Sequence, residues 1–318
     1  MYEVLIRLLI VVGVLAFALL TSAGLIWLER RMLALWQDRY GPNRVGPFGI
    51  LQVLADMIKI FTKVDWIPPF ADKPIFVAAP AIIVFATLMS FAVVTFAPGV
   101  TVIDLSVGLL FFLAMSSLDV YSVVLAGWSS NSKYSLLGGL RSVAQLLSYE
   151  VFMGISLMGV VMLAGSFNIT AIVEAQRTMW FCVPQCVGLL LFFVAGLAVT
   201  HRLPFDLPEA ESELVAGYHC EYSGMKFGMF FVGEYLGIAL ISALVTILFF
   251  GGWLGPFLPA VVWFCIKMFV CICVFILARA TLPRFRYDQL MALGWKLMLP
   301  LALLNLLVTG GVVLTRGP

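Results

Sequence analysis

Long runs of apolar residues, cut by short polar segments, set the plan of this chain. The runs fall near 4–28, 74–97, 104–126, 143–165, 180–199, 227–250, 260–279 and 293–315. A helix needs about 20 apolar residues to cross the hydrocarbon core of a bilayer. Backbone in lipid must satisfy its own hydrogen bonds, so each run reads as a spanning helix. The pattern predicts an all-α, polytopic bundle of about eight spans, organised as a single membrane domain over 1–318. The first run ends abruptly at Glu29-Arg30-Arg31. Its length reads as an uncleaved spanning helix rather than a signal peptide.

Two polar segments carry patterns of their own. From Phe48 to Lys63, Gln52, Asp56, Lys59 and Lys63 form one polar stripe, and Ile50, Leu51, Leu54, Met57, Ile58 and Phe61 fill the rest. A helix of about 24 Å with this pattern lies in the membrane interface with its apolar side in lipid. It follows turn signals at Gly41-Pro42-Asn43 and Gly46-Pro47. The second segment, 200–226, is the acidic stretch, with Asp206, Glu209, Glu211, Glu213 and Glu221. Asp206 and Glu209 have capping-box spacing, with Pro208 in the first turn. The crowding fits either a solvated charged loop or carboxylates raised into proton-transfer range.

Composition narrows the class. The chain is 63% hydrophobic and 11% charged, with a mean hydropathy of +1.08. Soluble domains are about a quarter charged, so soluble enzymes, disordered chains and disulfide scaffolds are excluded. A net charge of +2 from 19 basic and 17 acidic residues leaves no footprint for nucleic acid. Six cysteines without a Cys-x-x-Cys pair, and two histidines, offer no metal, haem or iron–sulfur site. Glycine-rich nucleotide motifs are also missing.

The charges are placed asymmetrically. Fifteen of the 19 basic residues lie in or beside the loops after spans one, three, five and seven. Arg7, Arg177 and Arg316 lie on the other side, and Lys267 lies inside span seven. The positive-inside rule puts the odd loops in the cytoplasm and both termini outside. Arg30, Arg31, Arg39 and Arg44 cluster in the first of these loops. They serve either as topological anchors or as forks for carboxylates on a docked partner.

Three acids fall inside spans. Glu150 is seven residues into span four, Glu234 seven residues into span six, and Asp119 seven residues before the end of span three. Helix rise puts all three about 10 Å from the same membrane face. An ionisable group there costs about 2.5 kcal/mol or more, so it faces a bundle interior or a wet cavity. Proton relays are built from such groups, as are interhelical hydrogen bonds.

At this point several motifs resemble a known family. RYGPNRVG (Arg39–Gly46), GWSSNSKYSLLGGLR (Gly127–Arg141), SYE (Ser148–Glu150), RLPFDLPEAESELVAGY (Arg202–Tyr218), EYSGMKFG (Glu221–Gly228) and GEY (Gly233–Tyr235) stand in this chain. They look like the H-type, or chain 1, membrane component of proton-pumping NADH–quinone oxidoreductase, respiratory complex I, in its bacterial form. The likeness runs essentially end to end.

The resemblance implies a non-redox subunit in the bacterial inner membrane, with both termini periplasmic. It implies that Arg30, Arg31, Asp56 and Lys59 lie along a quinone tunnel. Asp206, Glu209, Glu211, Glu213 and Glu221 would form the acidic coupling loop, and Glu150 and Glu234 would lead to the membrane-arm proton path. Asp119 joins that path by its level alone, because the family pattern has a small residue there. Arg39, Arg44, Lys133 and Arg141 would hold a peripheral redox arm. Quinone would be the substrate, while NADH, flavin and iron–sulfur clusters would sit in partner subunits. Small antiporter-like subunits and lipid would lie alongside. Two other readings share part of the pattern. A stand-alone proton-coupled secondary transporter has use for the buried acids and Lys267. The related subunit of a membrane-bound hydrogenase shares the acids without needing a quinone tunnel.

Overall fold

The computed structural model describes residues 2–206 and 216–316. The helices are α1 (Tyr2–Trp36), α2 (Gln52–Thr62), α3 (Lys73–Ser90), α4 (Gly108–Ser129), α5 (Lys133–Ala164), α6 (Ile169–Ala175), α7 (Cys186–Val199), α8 (Gly224–Phe249), α9 (Ala260–Thr281), α10 (Tyr287–Ala292) and α11 (Leu299–Arg316). Among the described residues, seven helical stretches are long and apolar enough to cross a membrane, and α7 is a shorter apolar helix. The architecture is an all-α polytopic bundle.

Helix α8 is the axis. It packs against α1, α2, α3, α6, α7 and α9. Its neighbours approach closely because small residues line the contacts. A Cβ on Gly233 would stand 3.0 Å from Ile83 Cγ1, and one on Gly196 of α7 would stand 2.6 Å from Ile241 Cγ2. Helices in lipid gain little from apolar contact as such, so close backbone approach and polar contacts hold them together. A second, smaller core joins α3, α4 and α5 around Phe76, Tyr218, Tyr222 and Phe230.

Two spans differ most from the sequence reading. Span four reaches back to Lys133, ten residues before the apolar run begins. The added turns bury Ser135, Gly138, Gly139 and Ser142 and leave Leu136, Leu137 and Leu140 exposed; just inside the run, buried Gln145 donates to the carbonyls of Ala198 at 2.9 Å and Phe205 at 2.8 Å. Span five is helical only from Cys186. The preceding turn is held by Gln185, which donates to Thr309 Oγ1 at 2.6 Å and accepts from Asn305 at 2.8 Å. Irregular backbone at membrane depth is tolerated where protein covers it.

Local signals place the remaining ends. Asn168 caps α6 by accepting from the Ala171 amide at 2.9 Å. Between α10 and α11 the backbone passes through a π-type stretch, Leu293–Met298. This stretch seats on α5 through Trp295 Nε1, which donates to Ser148 Oγ at 3.2 Å, and α10 before it accepts at Leu290 O from Tyr149 Oη at 3.1 Å.

Candidate functional site

Three features converge on one end of α8. The first is a cleft of about 440 Å³ between α2 and the start of α8. Its charged edge is Arg30, Asp56 and Lys59, and its apolar wall is Ile60, Phe227 and Phe231. Arg30 Nη1 lies 2.5 Å from Asp56 Oδ2, and Gln52 donates to the other Asp56 oxygen at 3.0 Å. The Asp56 carboxylate is therefore fixed in place, with both oxygens in use. Of the four tunnel residues expected from sequence, Arg31 alone is absent from this lining. Its Nη1 instead reaches the Pro42 carbonyl at 3.4 Å, tying down the loop after α1. Tyr222 also lines the cleft, and burial pushes its phenol up to about 12, so it stays neutral.

The second feature is a buried charge cluster. Arg202 lies between Glu29 and Glu234, at 3.6 Å and 3.7 Å, and Arg279 pairs with Glu29. The Arg202 guanidinium also sits 4.2 Å from the Tyr235 ring centroid. Glu29, Arg202 and Glu234 are all buried. Buried ions are tolerable only when partnered, and among the described residues this set brings Arg202 and Arg279 to Glu29 and Glu234. Only Glu234 stands out as a site residue from sequence. Glu29 reads there as a stop signal, and Arg202 and Arg279 as orienting charges. Their pairing brings together positions up to 250 residues apart.

The third feature is a small internal cavity of about 30 Å³, enough for a water. Asp119, Ser116, His201, Thr200 and Glu234 share its lining. Glu150 is outside this lining, with Oε2 at 3.3 Å from Ser117 Oγ. Asp119 Oδ1, Glu150 Oε1 and His201 Nδ1 are buried without a hydrogen-bond partner among the described residues. Polar atoms in that state mark places for ordered water. The three intramembrane acids thus lie in or beside one small polar space. His201 is a residue that sequence reasoning passes over. Burial, with His219 and Arg202 nearby, lowers its pKa to about 4 and keeps the imidazole neutral.

A family model described as NADH dehydrogenase matches residues 9–310. The H-type chain of the NADH-quinone oxidoreductase of Methylococcus capsulatus is 64% identical over 307 residues, covering 96% of this chain and 97% of that relative. The chain belongs to the family of H-type membrane subunits of NADH–quinone oxidoreductase. It is accordingly a multi-pass, non-redox membrane component of that enzyme complex.

The other residues that the family resemblance marks have separate surroundings. Asp206 pairs with Arg284 at 3.0 Å, and Glu221 is half-buried. Glu209, Glu211 and Glu213 lie outside the described residues. Arg39, whose Nε donates to Gln37 at 2.9 Å, is exposed, as are Arg44 and Lys133. Arg141 is half-buried, 5.1 Å from the Tyr287 ring centroid.

Lys267, inside α9, is fully engaged. It donates to the carbonyls of Phe250 at 2.7 Å, Gly252 at 3.1 Å and Leu254 at 2.6 Å, beside the Trp180 ring. An ammonium has three donors, so this residue caps the end of α8. All six cysteines are free.

Proposed function

We propose that the cleft between α2 and α8 receives the quinone, and that its reduction is felt by the carboxylates around α8. The observation that carries this reading is the cleft itself. It combines an apolar wall for a hydrophobic tail with a fixed charged edge for a polar headgroup, beside an interfacial helix whose apolar side faces lipid. The electron donor sits in a neighbouring subunit on the arginine-bearing side, docked through Arg39, Arg44, Lys133 and Arg141. That side is cytoplasmic by the distribution of basic residues, and the membrane is the bacterial inner membrane. Antiporter-like subunits lie laterally, and NADH, flavin and iron–sulfur clusters belong to the partners.

The coupling route runs from the acidic loop, Asp206 to Glu221, through the Arg202 cluster and the small cavity to Glu234, Asp119 and Glu150. A charge change at the headgroup alters which carboxylate Arg202 favours. Water in the cavity then carries the proton between the acids. Glu→Gln keeps shape and deletes proton exchange. Glu150→Gln and Glu234→Gln should therefore allow insertion but lower quinone turnover and proton pumping together, by about tenfold or more.

A photoreactive quinone analogue tests the cleft. Labelling of peptides covering 52–63 and 222–231 in the intact complex is expected, with Asp56→Asn weakening it. Labelling elsewhere only would put the quinone site outside this cleft.

A further inference from the structure

Helix α2 forms one wall of the cleft, yet it has no buried residue. Leu54, Ile58 and Phe61 are exposed. Its packing on α8 is confined to a narrow seam around Ile60, and an ion pair on either side fastens it. On the α1 side is Arg30–Asp56, which is half-exposed and lines the cleft. On the α8 side, just past the end of α2, Asp65 pairs with Lys226.

The second pair is built into a tight seam. The Lys226 side chain is only 8% exposed, against 41% for Asp65. Next to it the Trp66 amide donates to Ser223 Oγ at 3.2 Å. Gly224 adopts φ +56, and a Cβ there would lie 3.3 Å from Asp65 Cα. One turn on, a Cβ on Gly228 would meet Ile60 Cγ2 at 3.0 Å. Lys63, Ser223 and Gly224 on this seam line the cleft, whereas Lys226 and Asp65 do not.

We propose that Lys226 and Asp65 are positioning residues: their ion pair clamps α2 against α8 and sets the width of the cleft. This rests on the quinone reading of that cleft. With the clamp open, α2 floats in the interface and only a fraction of molecules hold a cleft that fits the substrate. Apparent affinity falls by that fraction, while chemistry in the seated fraction is unchanged.

The two partners should respond unequally. Removing Lys226 leaves Asp65 with enough exposure to be hydrated. Removing the Asp65 charge strands a buried ammonium, which is the costlier fault.

The test uses the assembled membrane complex, normalised by NADH oxidation with an artificial acceptor that bypasses quinone. Lys226→Met should raise the KM for a short-tailed quinone about fivefold with kcat within about twofold. Asp65→Asn should do at least as much. The exchanged pair, Lys226→Asp with Asp65→Lys, should recover most of the wild-type KM. An unchanged KM in Lys226→Met overturns the clamp, as does a loss confined to kcat. Should Asp65→Asn fail to assemble, Lys226→Met and the exchanged pair decide alone. The underlying reading is separable. Normal KM in Lys226→Met with impaired Asp56→Asn and positive quinone photolabelling removes only the clamp. Silence in all three removes the quinone cleft.

Discussion

Helices α1 and α8 are both long and apolar, and the most apolar stretch of α1 is more hydrophobic than that of α8. Yet only 11% of the most apolar stretch of α1 is buried, against 83% for α8. Apolarity sorts residues into a bilayer but not toward the middle of a bundle, because lipid tails are as apolar as leucine. What distinguishes α8 is its small residues and its paired charges. Gly228, Gly233, Ala239 and Ala243 admit neighbours, and Glu234 faces Arg202. In α1, a Cβ on Gly13 or Gly24 would meet nothing within 4 Å. Helix α1 resembles α8 where small residues are buried, at Ala18 and at Ser22, whose Oγ donates to Val232 O, and at the end where Glu29 reaches the charge cluster.

The strongest way to break the contrast is to unpair the centre. Arg202→Met leaves Glu29 facing Arg279 alone and takes the cation from beside Glu234. Breaking a buried pair costs about 3–5 kcal/mol, so the amount of assembled complex should drop sharply. Arg30→Met, at the exposed rim, removes a pair worth about 1 kcal/mol or less and should leave assembly intact. Immunodetection of both variants in membranes compares them directly.

A second test uses pH. His201 titrates near 4 in the folded chain and near 6.5 when unfolded. Between these values the unfolded state binds the extra proton, so the stability from keeping His201 neutral is full above pH 6.5. It is lost as pH falls toward 4, at about 1.4 kcal/mol per pH unit. The thermal stability of purified complex should therefore fall less steeply from pH 6.5 to pH 5 in His201→Asn than in wild type. Parallel curves would mean that His201 is already protonated in the folded state.

The smallest effect sharpens the contrast most cleanly, because it needs only a methyl group. Gly233→Ala presses on Ile83 and should destabilise by about 1–3 kcal/mol. Gly13→Ala meets open space and should be neutral within about 0.5 kcal/mol or slightly stabilising. Thermal inactivation of the two variants reads both numbers.

The contrast also explains what was legible in the sequence. Apolar runs located the spans because insertion energy depends on local composition. The interfacial α2 was legible because its stripe is local too, although its helix starts at Gln52 rather than Phe48, after the glycine turn at Gly46–Gly49. Glu150 and Glu234 stood out because charge at depth is costly wherever it occurs. Glu29, Arg202 and Arg279 did not, because each sits near a span end, where charges are ordinary. Their meaning lies in pairing across the bundle, which no window of sequence contains. The polar start of α5 was missed for a related reason. Lys133, Ser135, Arg141 and Ser142 make 133–142 too polar to read as part of a span, and the burial of the two serines comes from packing against other segments.

The Lys267 cap has a consequence for biogenesis. A lysine at depth in a lone helix resists entry into lipid by about 2.5–3.5 kcal/mol. Its three carbonyl acceptors lie 13 to 17 residues earlier in the chain. They have therefore left the ribosome before the ammonium arrives. Helices α8 and α9 are suited to partition from the translocon as one hairpin, with the ammonium already solvated by the carbonyls of the turn it closes.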